Sequence, residues 1–481
     1  MKNTVAYILL ICLVLPLSSF AQTINIDNTK PRLDTNGQIV DAHDGRVIQF
    51  GDTFYWYGTS YGSTNGFTTQ NHYRCYSSKD MTKWKYEGKL LDIQPEGVYY
   101  RPHVIYNEKT KKYVLWYNWY PKLWDGQFGV ATSDTPQGPF KIENDNVKMY
   151  RSDVGLGDFG LFVDKDGSGY ISYNTIQNHQ VSVEKLSDDY LSSTLENGGI
   201  IDQHMEAGTQ FKKAGKYYLL TDYTCCFCNY GSGARVYISD HPLKGYTLIN
   251  NINRYPGKHS LKINDGIKRG TSYETLSKNK NGYDAVEILF DEKVTINKLA
   301  LHIFTGNRLE NCGDVNNPKV HPDIVSPKFE IFEWNNNTWK SIKIKNQIIE
   351  KSALKEEIVL NFSSSISDRF KIVPIESDTN IYISEVETFN EETPTNSKGS
   401  FFITGPNIPQ KPIIPAQQSY VMKLNTIEGE KYIWIGDLWG SASDNIKGHD
   451  YQYWSAPLEF EQDGTIKTMK WKDQWSVELK K

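Results

Sequence analysis

Long apolar runs are nearly absent from this chain of 481 residues. The one clear case, Val5 to Leu17, follows Lys2 and closes on Ser19-Phe20-Ala21. It is short for a bilayer span and ends on small residues, which predicts a secretory signal peptide over residues 1–21 with cleavage after Ala21. Cys12 lies inside that run behind Leu10-Ile11, where a bulky Ile is wrong for lipoprotein processing. A soluble exported protein, secreted or periplasmic, is therefore expected over a lipid-anchored one. No later segment is apolar for long enough to span a membrane, so no membrane insertion is expected.

Cysteine is also scarce. Five remain after cleavage, Cys75, Cys225, Cys226, Cys228 and Cys312, an odd count in a chain long enough to need no stapling, which excludes a disulfide scaffold. Cys225-Cys-Phe-Cys228 has no second Cys pair or His pair at zinc spacing after it, so a local disulfide, for instance Cys225 with Cys226, is the better reading in an oxidising compartment. An excess of one charge sign is missing as well. Lys and Arg number 53 against 57 Asp and Glu, interspersed, with a net charge of -4, which provides no basic field for nucleic acid. Long amphipathic helices with caps are missing too, and the expected fold class is all-β. What is plentiful is aromatic: 13% of residues, with 31 Tyr and 12 Trp, a richness that suits both packed β cores and surfaces that stack on sugars.

The aromatics recur in one setting. Val47 to Phe50 reads as a strand, Gly51-Asp52 as a tight turn and Phe54 to Tyr57 as the returning strand, with Asp44 just before the hairpin. The returning strand repeats in Lys112–Tyr117, Gly169–Tyr173, Gly215–Leu220 and Glu430–Ile435. The first aromatics, Tyr55, Tyr113, Tyr170 and Tyr217, are spaced by roughly 47 to 58 residues, as blades of a propeller are, but Tyr432 follows only after about 215. A five-bladed β-propeller with an insertion before its last blade is expected. The predicted division is blades one to four over 22–252, an inserted β-sandwich of jelly-roll type over 253–395, and blade five over 396–481. Inside the insertion, strands are predicted at Ala285–Phe290, Lys298–Phe304, Lys328–Trp334, Glu357–Asn361, Arg369–Val373 and Ile381–Thr388, with Glu391–Lys398 as exit linker. Blade five resumes with Ser419–Leu424, Lys431–Ile435, Tyr453–Phe460 and Thr465–Trp471.

Three carboxylates open blades: Asp44 opens blade one, Asp158 in Gly157-Asp-Phe-Gly-Leu-Phe162 opens blade three, and Glu206 in His204-Met-Glu-Ala-Gly208 opens blade four. Singly, each reads as well as a turn or cap residue. Three at equivalent repeat positions, where inner strands converge on a shared centre, point to chemistry with paired carboxyl groups.

With these acids in their order and spacing, the chain resembles the five-bladed propellers of glycoside hydrolase family 43. Arg101-Pro-His103-Val-Ile-Tyr-Asn107, Ser133-Asp-Thr-Pro-Gln-Gly-Pro-Phe140 and Tyr432-Ile-Trp-Ile-Gly-Asp-Leu-Trp439 extend the likeness. The resemblance implies that Asp44 is the general base, Glu206 the general acid and Asp158 the residue that tunes the acid's pKa and orients the sugar. It implies inversion of configuration and an oligo- or polysaccharide substrate. Within the family, Ala42-His43, Tyr55-Trp-Tyr-Gly58, Arg101-Pro102 and Ala416-Gln417-Gln-Ser-Tyr-Val421 look most like the exo-β-1,3-galactanase branch. Two departures stand out. Galactanases of that type carry Gly where Asp44 stands and are thought to use a glutamine, matched here by Gln417, as base; they also carry Glu where this chain has Tyr100. Sugar-binding roles are expected for His43, Tyr100, Arg101, His103, Gln417 and Trp439. The insertion resembles a discoidin (coagulation factor 5/8 type C) sandwich, through Leu261–Gly266, Val286–Phe290, Lys328–Phe332 and Arg369–Val373, and carbohydrate binding is that fold's usual role.

The expected function is thus an exported inverting exo-glycosidase acting on terminal galactose or arabinose of plant polysaccharide such as arabinogalactan. The alternative is a non-catalytic glycan-binding propeller. No cofactor is required, and a structural Ca²⁺ is left open because no local ligand motif demands it. The sugar, its linkage and the oligomeric state are not legible in the sequence.

Overall fold

The computed structural model describes residues 22–480, except 225, 228, 230, 254–256, 261, 269–272, 280–281, 305–326, 336–337, 352–355, 377–379, 396–398 and 406–411. Residues 1–21, where a signal peptide is expected, lie outside the described residues. Four successive four-stranded antiparallel meanders form blades one to four. Their inner strands are His43–Phe50, Val98–Asn107, Leu156–Val163 and Met205–Lys213, and each is followed outward by its aromatic strand. The aromatic strands bury both faces because each blade is sandwiched between two others, so Val114, Leu115, Trp116 and Tyr117 are all inaccessible.

Blade five differs from its sequence-based outline. Gln417–Thr426, Gly429–Leu438 and Tyr451–Trp454 form its meander. Thr465–Trp471 makes only an isolated bridge, between Phe460 and Ile466. The sheet is completed instead by Gln474–Leu479, which pairs with the amino-terminal strand Gln22–Asp27 from Gln22–Leu479 to Asp27–Gln474. Ile24, Ile26 and Leu479 pack with Val47, Trp56 and Trp84 of blade one and with Met422, Leu424 and Trp454 of blade five. The two chain ends thus close the ring. Asn28 locks that closure, giving hydrogen bonds to the carbonyls of Trp454 and Lys472 and accepting one from the Trp454 N–H.

Between blades four and five the chain builds a separate ten-stranded sheet system with its own apolar core. Two pairs of predicted strands are in fact single long ones, Ala285–Phe304 and Glu356–Glu376, which pair with each other across register shifts. Gly399–Thr404, assigned by sequence to blade five, pairs with Ala285–Phe290 and belongs to this sheet. Its alternation explains both attachments: Phe401 and Ile403 enter the insertion's core, whereas Phe402 joins Phe211, Tyr432 and Trp434 in the core between blades four and five.

The five inner strands ring a central channel, each packed on its two neighbours. Every one carries a register shift near its start: His43/Arg46, Tyr100/His103, Leu156/Phe159, Ala207/Thr209 and Gln418/Tyr420. A β-bulge bends a strand and re-aims its side chains. Asp44, Arg101 and Asp158 lie within these bulges, and Glu206 and Gln417 lie immediately before them. Asp44 and Arg101 each take a left-handed backbone, φ 49° in both, an unusual state for residues other than glycine. Close approach is needed at the fourth bulge, where a Cβ on Gly208 would fall 2.2 Å from the Leu220 carbonyl oxygen.

Candidate active site

The five bulges converge on one pocket at the end of the channel where the inner strands begin. Asp44, Asp158 and Glu206 all line it, with Tyr100, Arg101, Gln417 and Trp439. Tyr61, Phe67, Tyr120, Trp124 and Phe227 give it an aromatic wall, a surface suited to the apolar faces of a sugar ring.

Asp44 is held on both oxygens. Oδ1 accepts from Thr59 Oγ1 at 2.7 Å and from the Arg101 backbone N–H at 3.1 Å; Oδ2 accepts from the Tyr61 hydroxyl at 2.6 Å. Asp41 fixes Tyr61 in turn, accepting from the N–H groups of Tyr61 and Gly62. Burial, with the neighbouring Asp437 charge, pushes the Asp44 carboxyl up to about 7, against the pull of the Tyr61 hydrogen bond and of Arg101.

Arg101 organises the other acids. Its guanidinium meets Asp158 at 2.6 Å and donates more weakly to the carbonyls of Gln418 and Ser419 in blade five. Glu206 is fully buried, and its pKa stands well above the ordinary glutamate value, through burial first and then through the charges of Asp158 and Asp222. Asp222 lies directly opposite Glu206 on the adjacent strand. It is inaccessible, and burial raises its pKa strongly too. One guanidinium therefore serves three clustered carboxyl groups, and the partly exposed Asp158 takes it. Glu206 is left to hold its proton.

Gln417 bridges acid and wall. Its amide donates to Glu206 Oε2 at 3.3 Å, and its carbonyl accepts from Trp439 Nε1 at 2.8 Å. Tyr100 presents a hydroxyl that has no hydrogen-bond partner among the described residues. His43 and His103 do not line the pocket. His43 sits behind it, its ring tilted against Trp439 at 4.9 Å and hydrogen-bonded through Nδ1 to Asp437 at 3.0 Å. His103 is fully buried deeper in the channel against Phe159, and burial, then the charges of Arg46 and Arg101, drive its pKa well below the usual histidine value. Both were expected to touch sugar. The bulges that turn Asp44 and Arg101 toward the pocket turn their neighbours His43 and His103 away from it.

Sequence reasoning passed over Tyr61, Asp222 and Asp437. Asp437 is the most consequential, because its Oδ2 accepts the Asp44 backbone N–H at 2.8 Å and so pins the left-handed residue from the far side of the ring closure. A shared signal was present: Asp222 and Asp437 each end an aromatic strand, in Leu219-Leu-Thr-Asp222 and Trp434-Ile-Gly-Asp437. Cys226 also lines the pocket and is a free thiol; the anticipated Cys225–Cys226 bridge falls on Cys225, which with Cys228 lies outside the described residues. No group of three or more metal-ligating side chains occurs among the described residues, and none of their helices is long and apolar enough to cross a membrane.

Residues 39–246 match the sequence profile of Glycosyl hydrolases family 43. With the fold and the clustered acids, that match marks a glycoside hydrolase. The match includes Asp44, Asp158 and Glu206 and stops short of Gln417 and Trp439. The chain is similar in structure to an exo-β-1,3-galactanase from Clostridium thermocellum, with a TM-score of 0.55 and 18% identity over 94% of this chain and 67% of the other. A family 43 β-1,3-galactosidase gives 0.52 and 19% over 94% of this chain, which spans only 64% of that protein. Another, solved with galactodeoxynojirimycin, gives 0.52 and 19%, with 99% of its own length covered. At such identities the likeness is one of fold. No curated protein sequence matches the chain.

Proposed function

We propose that the enzyme is an exported, inverting exo-glycosidase that removes terminal galactose from β-1,3-linked galactan side chains or backbones of plant arabinogalactan. The observation that carries this reading is the unequal protonation bias of two carboxyl groups on one compact pocket, both raised by burial, Asp44 to about 7 and Glu206 well above the ordinary glutamate value. Glu206 is buried beside Asp158 and Asp222 and keeps its proton for the leaving oxygen. Asp44, with its three donors and its carboxyl at about 7, becomes ionised as the pH rises through neutrality and takes a proton from the attacking water. Inversion needs those groups on opposite faces of the sugar, about 6.5–9.5 Å apart, with the water between.

Arg101 holds Asp158 where it both raises Glu206 and meets a sugar hydroxyl. The Tyr100 hydroxyl takes the place of an acid found in galactanases of this type, and Trp439 with Tyr61 flanks the ring. Galactose is favoured over arabinose by the galactanase and galactosidase character of the structurally similar enzymes. Export rests on the signal-like segment at residues 1–21, and the insertion, read as a discoidin-like sandwich, would dock the enzyme on glycan.

Hydrolysis of nitrophenyl galactosides and arabinosides and of β-1,3-galactobiose by wild type, Asp44→Asn and Glu206→Gln tests this. Proton NMR of the first sugar released from galactobiose should show the α-anomer. Release of the β-anomer, or turnover of arabinosides alone, would overturn the proposal.

A further inference from the structure

His43 does not reach the pocket, yet it lies among three buried carboxyl groups, those of Asp41, Asp44 and Asp437. Its Nδ1 is hydrogen-bonded to Asp437 Oδ1 at 3.0 Å, and its Nε2 stands 3.7 Å from Asp41 Oδ1. Those two flanking carboxylates are the two supports of Asp44. Asp437 Oδ2 accepts the Asp44 backbone N–H; Asp41 accepts the Tyr61 N–H, and the Tyr61 hydroxyl donates to Asp44 Oδ2. The contacts make a closed circuit, from the Asp44 backbone through Asp437, His43, Asp41 and Tyr61 back to the Asp44 carboxyl group.

The other cations nearby are engaged elsewhere. Arg101 pairs with Asp158 at 2.6 Å, and Lys447, over the Trp439 ring at 5.6 Å, pairs with Asp450 at 3.6 Å. Arg74 reaches Asp41 Oδ2 at 3.7 Å, but its side chain is partly exposed. Thr59, Ser60 and Gln452 offer the three carboxyl groups neutral donors only. Among the described residues, His43 alone can bring a positive charge into contact with Asp437. Burial opposes that charge, but the Asp437 hydrogen bond and the charges of Asp437, Asp41 and Asp44 outweigh it and raise the His43 pKa above the ordinary histidine value.

We propose that His43 is a positioning residue for the base, a buried imidazolium clamped between Asp437 and Asp41 that offsets the Asp437 charge and so favours ionised Asp44. This role presupposes Asp44 as the general base. A neutral ring would leave Asp437 to oppose the ionisation of Asp44 uncompensated, since like charges in a buried site disfavour one another.

The pH dependence of kcat/KM on nitrophenyl β-galactoside tests the charge. His43→Asn keeps a side-chain donor toward Asp437 and removes the positive charge, so the acid limb should move upward by about one pH unit with KM little changed. A merely structural role would lower activity and leave the limb in place. That result, or a limb moved downward, overturns the proposal. Neutron diffraction from deuterated crystals of the full chain at pH 7 should show deuterium on both Nδ1 and Nε2 of His43, and a ring with one deuteron overturns it as well. The neutron map needs only the wild type, so it decides even where His43→Asn does not fold. Asp44→Asn should lose the acid limb altogether; a limb that survives there removes the base assignment itself, a failure distinct from a neutral His43.

Discussion

Gln417 donates its amide hydrogen to Glu206 Oε2 across 3.3 Å. A group in contact with the acid is on the acid's side of the scissile bond, whereas the base of a single displacement works from the opposite face. On the proposed inverting mechanism, Gln417 would orient Glu206 and Trp439, and the base role would fall to Asp44. Gln417→Glu should add a fourth carboxyl group to the cluster and raise the Glu206 pKa further, moving the alkaline limb of kcat upward by about one pH unit. A pH–rate profile checks it.

Two limbs of that profile belong to different residues. Asp44 must be ionised, and with its carboxyl pushed up to about 7, kcat/KM should fall on the acid side with a midpoint near that pH. Glu206 must be protonated, so activity should fall on the alkaline side. Asp158→Asn removes a negative neighbour and frees Arg101 to stabilise ionised Glu206, so the alkaline limb should move to lower pH by about one unit or more while the acid limb stays.

Asp437 acts on the acid limb. It raises the Asp44 pKa and anchors the Asp44 backbone N–H. Asp437→Asn keeps an acceptor for that N–H but removes the charge, so the acid limb should shift downward by about one unit with KM little changed. A purely structural role would lower activity without moving the limb.

Asp44 and its hairpin, the repeat and the insertion were legible because turn chemistry and aromatic strands are local signals. The bulges were not. A two-residue slip such as Asp44-Gly45 against one partner has no sequence signature of its own, and it decides that Asp44 and Arg101 face the pocket while His43 and His103 do not. Closure by Gln22–Asp27 on Gln474–Leu479 was equally hidden, since those strands are far apart in sequence and each looks like an ordinary end. Gly399–Thr404 reads as a propeller strand by pattern, and only its pairing with Ala285–Phe290 assigns it to the insertion, while Phe402 still packs in the propeller core.

The acid cluster carries a stability cost with a definite sign. Glu206 keeps its proton in the fold but ionises in the unfolded chain above about pH 4.3, so folding takes up a proton and stability declines as pH rises from there. Glu206→Gln should stabilise the protein at pH 8 by about 0.5–2 kcal/mol and have little effect at pH 4. Denaturant unfolding at the two pH values measures the difference.

Ring closure depends on Asn28, whose side chain is inaccessible and makes three hydrogen bonds to backbone groups of the closing blade. Asn28→Ala strands those groups and should destabilise the fold by about 2–4 kcal/mol without changing KM. Thermal unfolding alongside steady-state kinetics separates the two effects.

The assignment of Asp44 as base is tested most directly by comparing Asp44→Asn with Gln417→Ala on nitrophenyl β-galactoside under saturating conditions. Loss of a general base costs about 10²–10⁴-fold in kcat, so Asp44→Asn should fall by that factor, while Gln417→Ala should retain activity within about tenfold of wild type. Retained turnover in Asp44→Asn with abolished turnover in Gln417→Ala would contradict the account and transfer the base to Gln417.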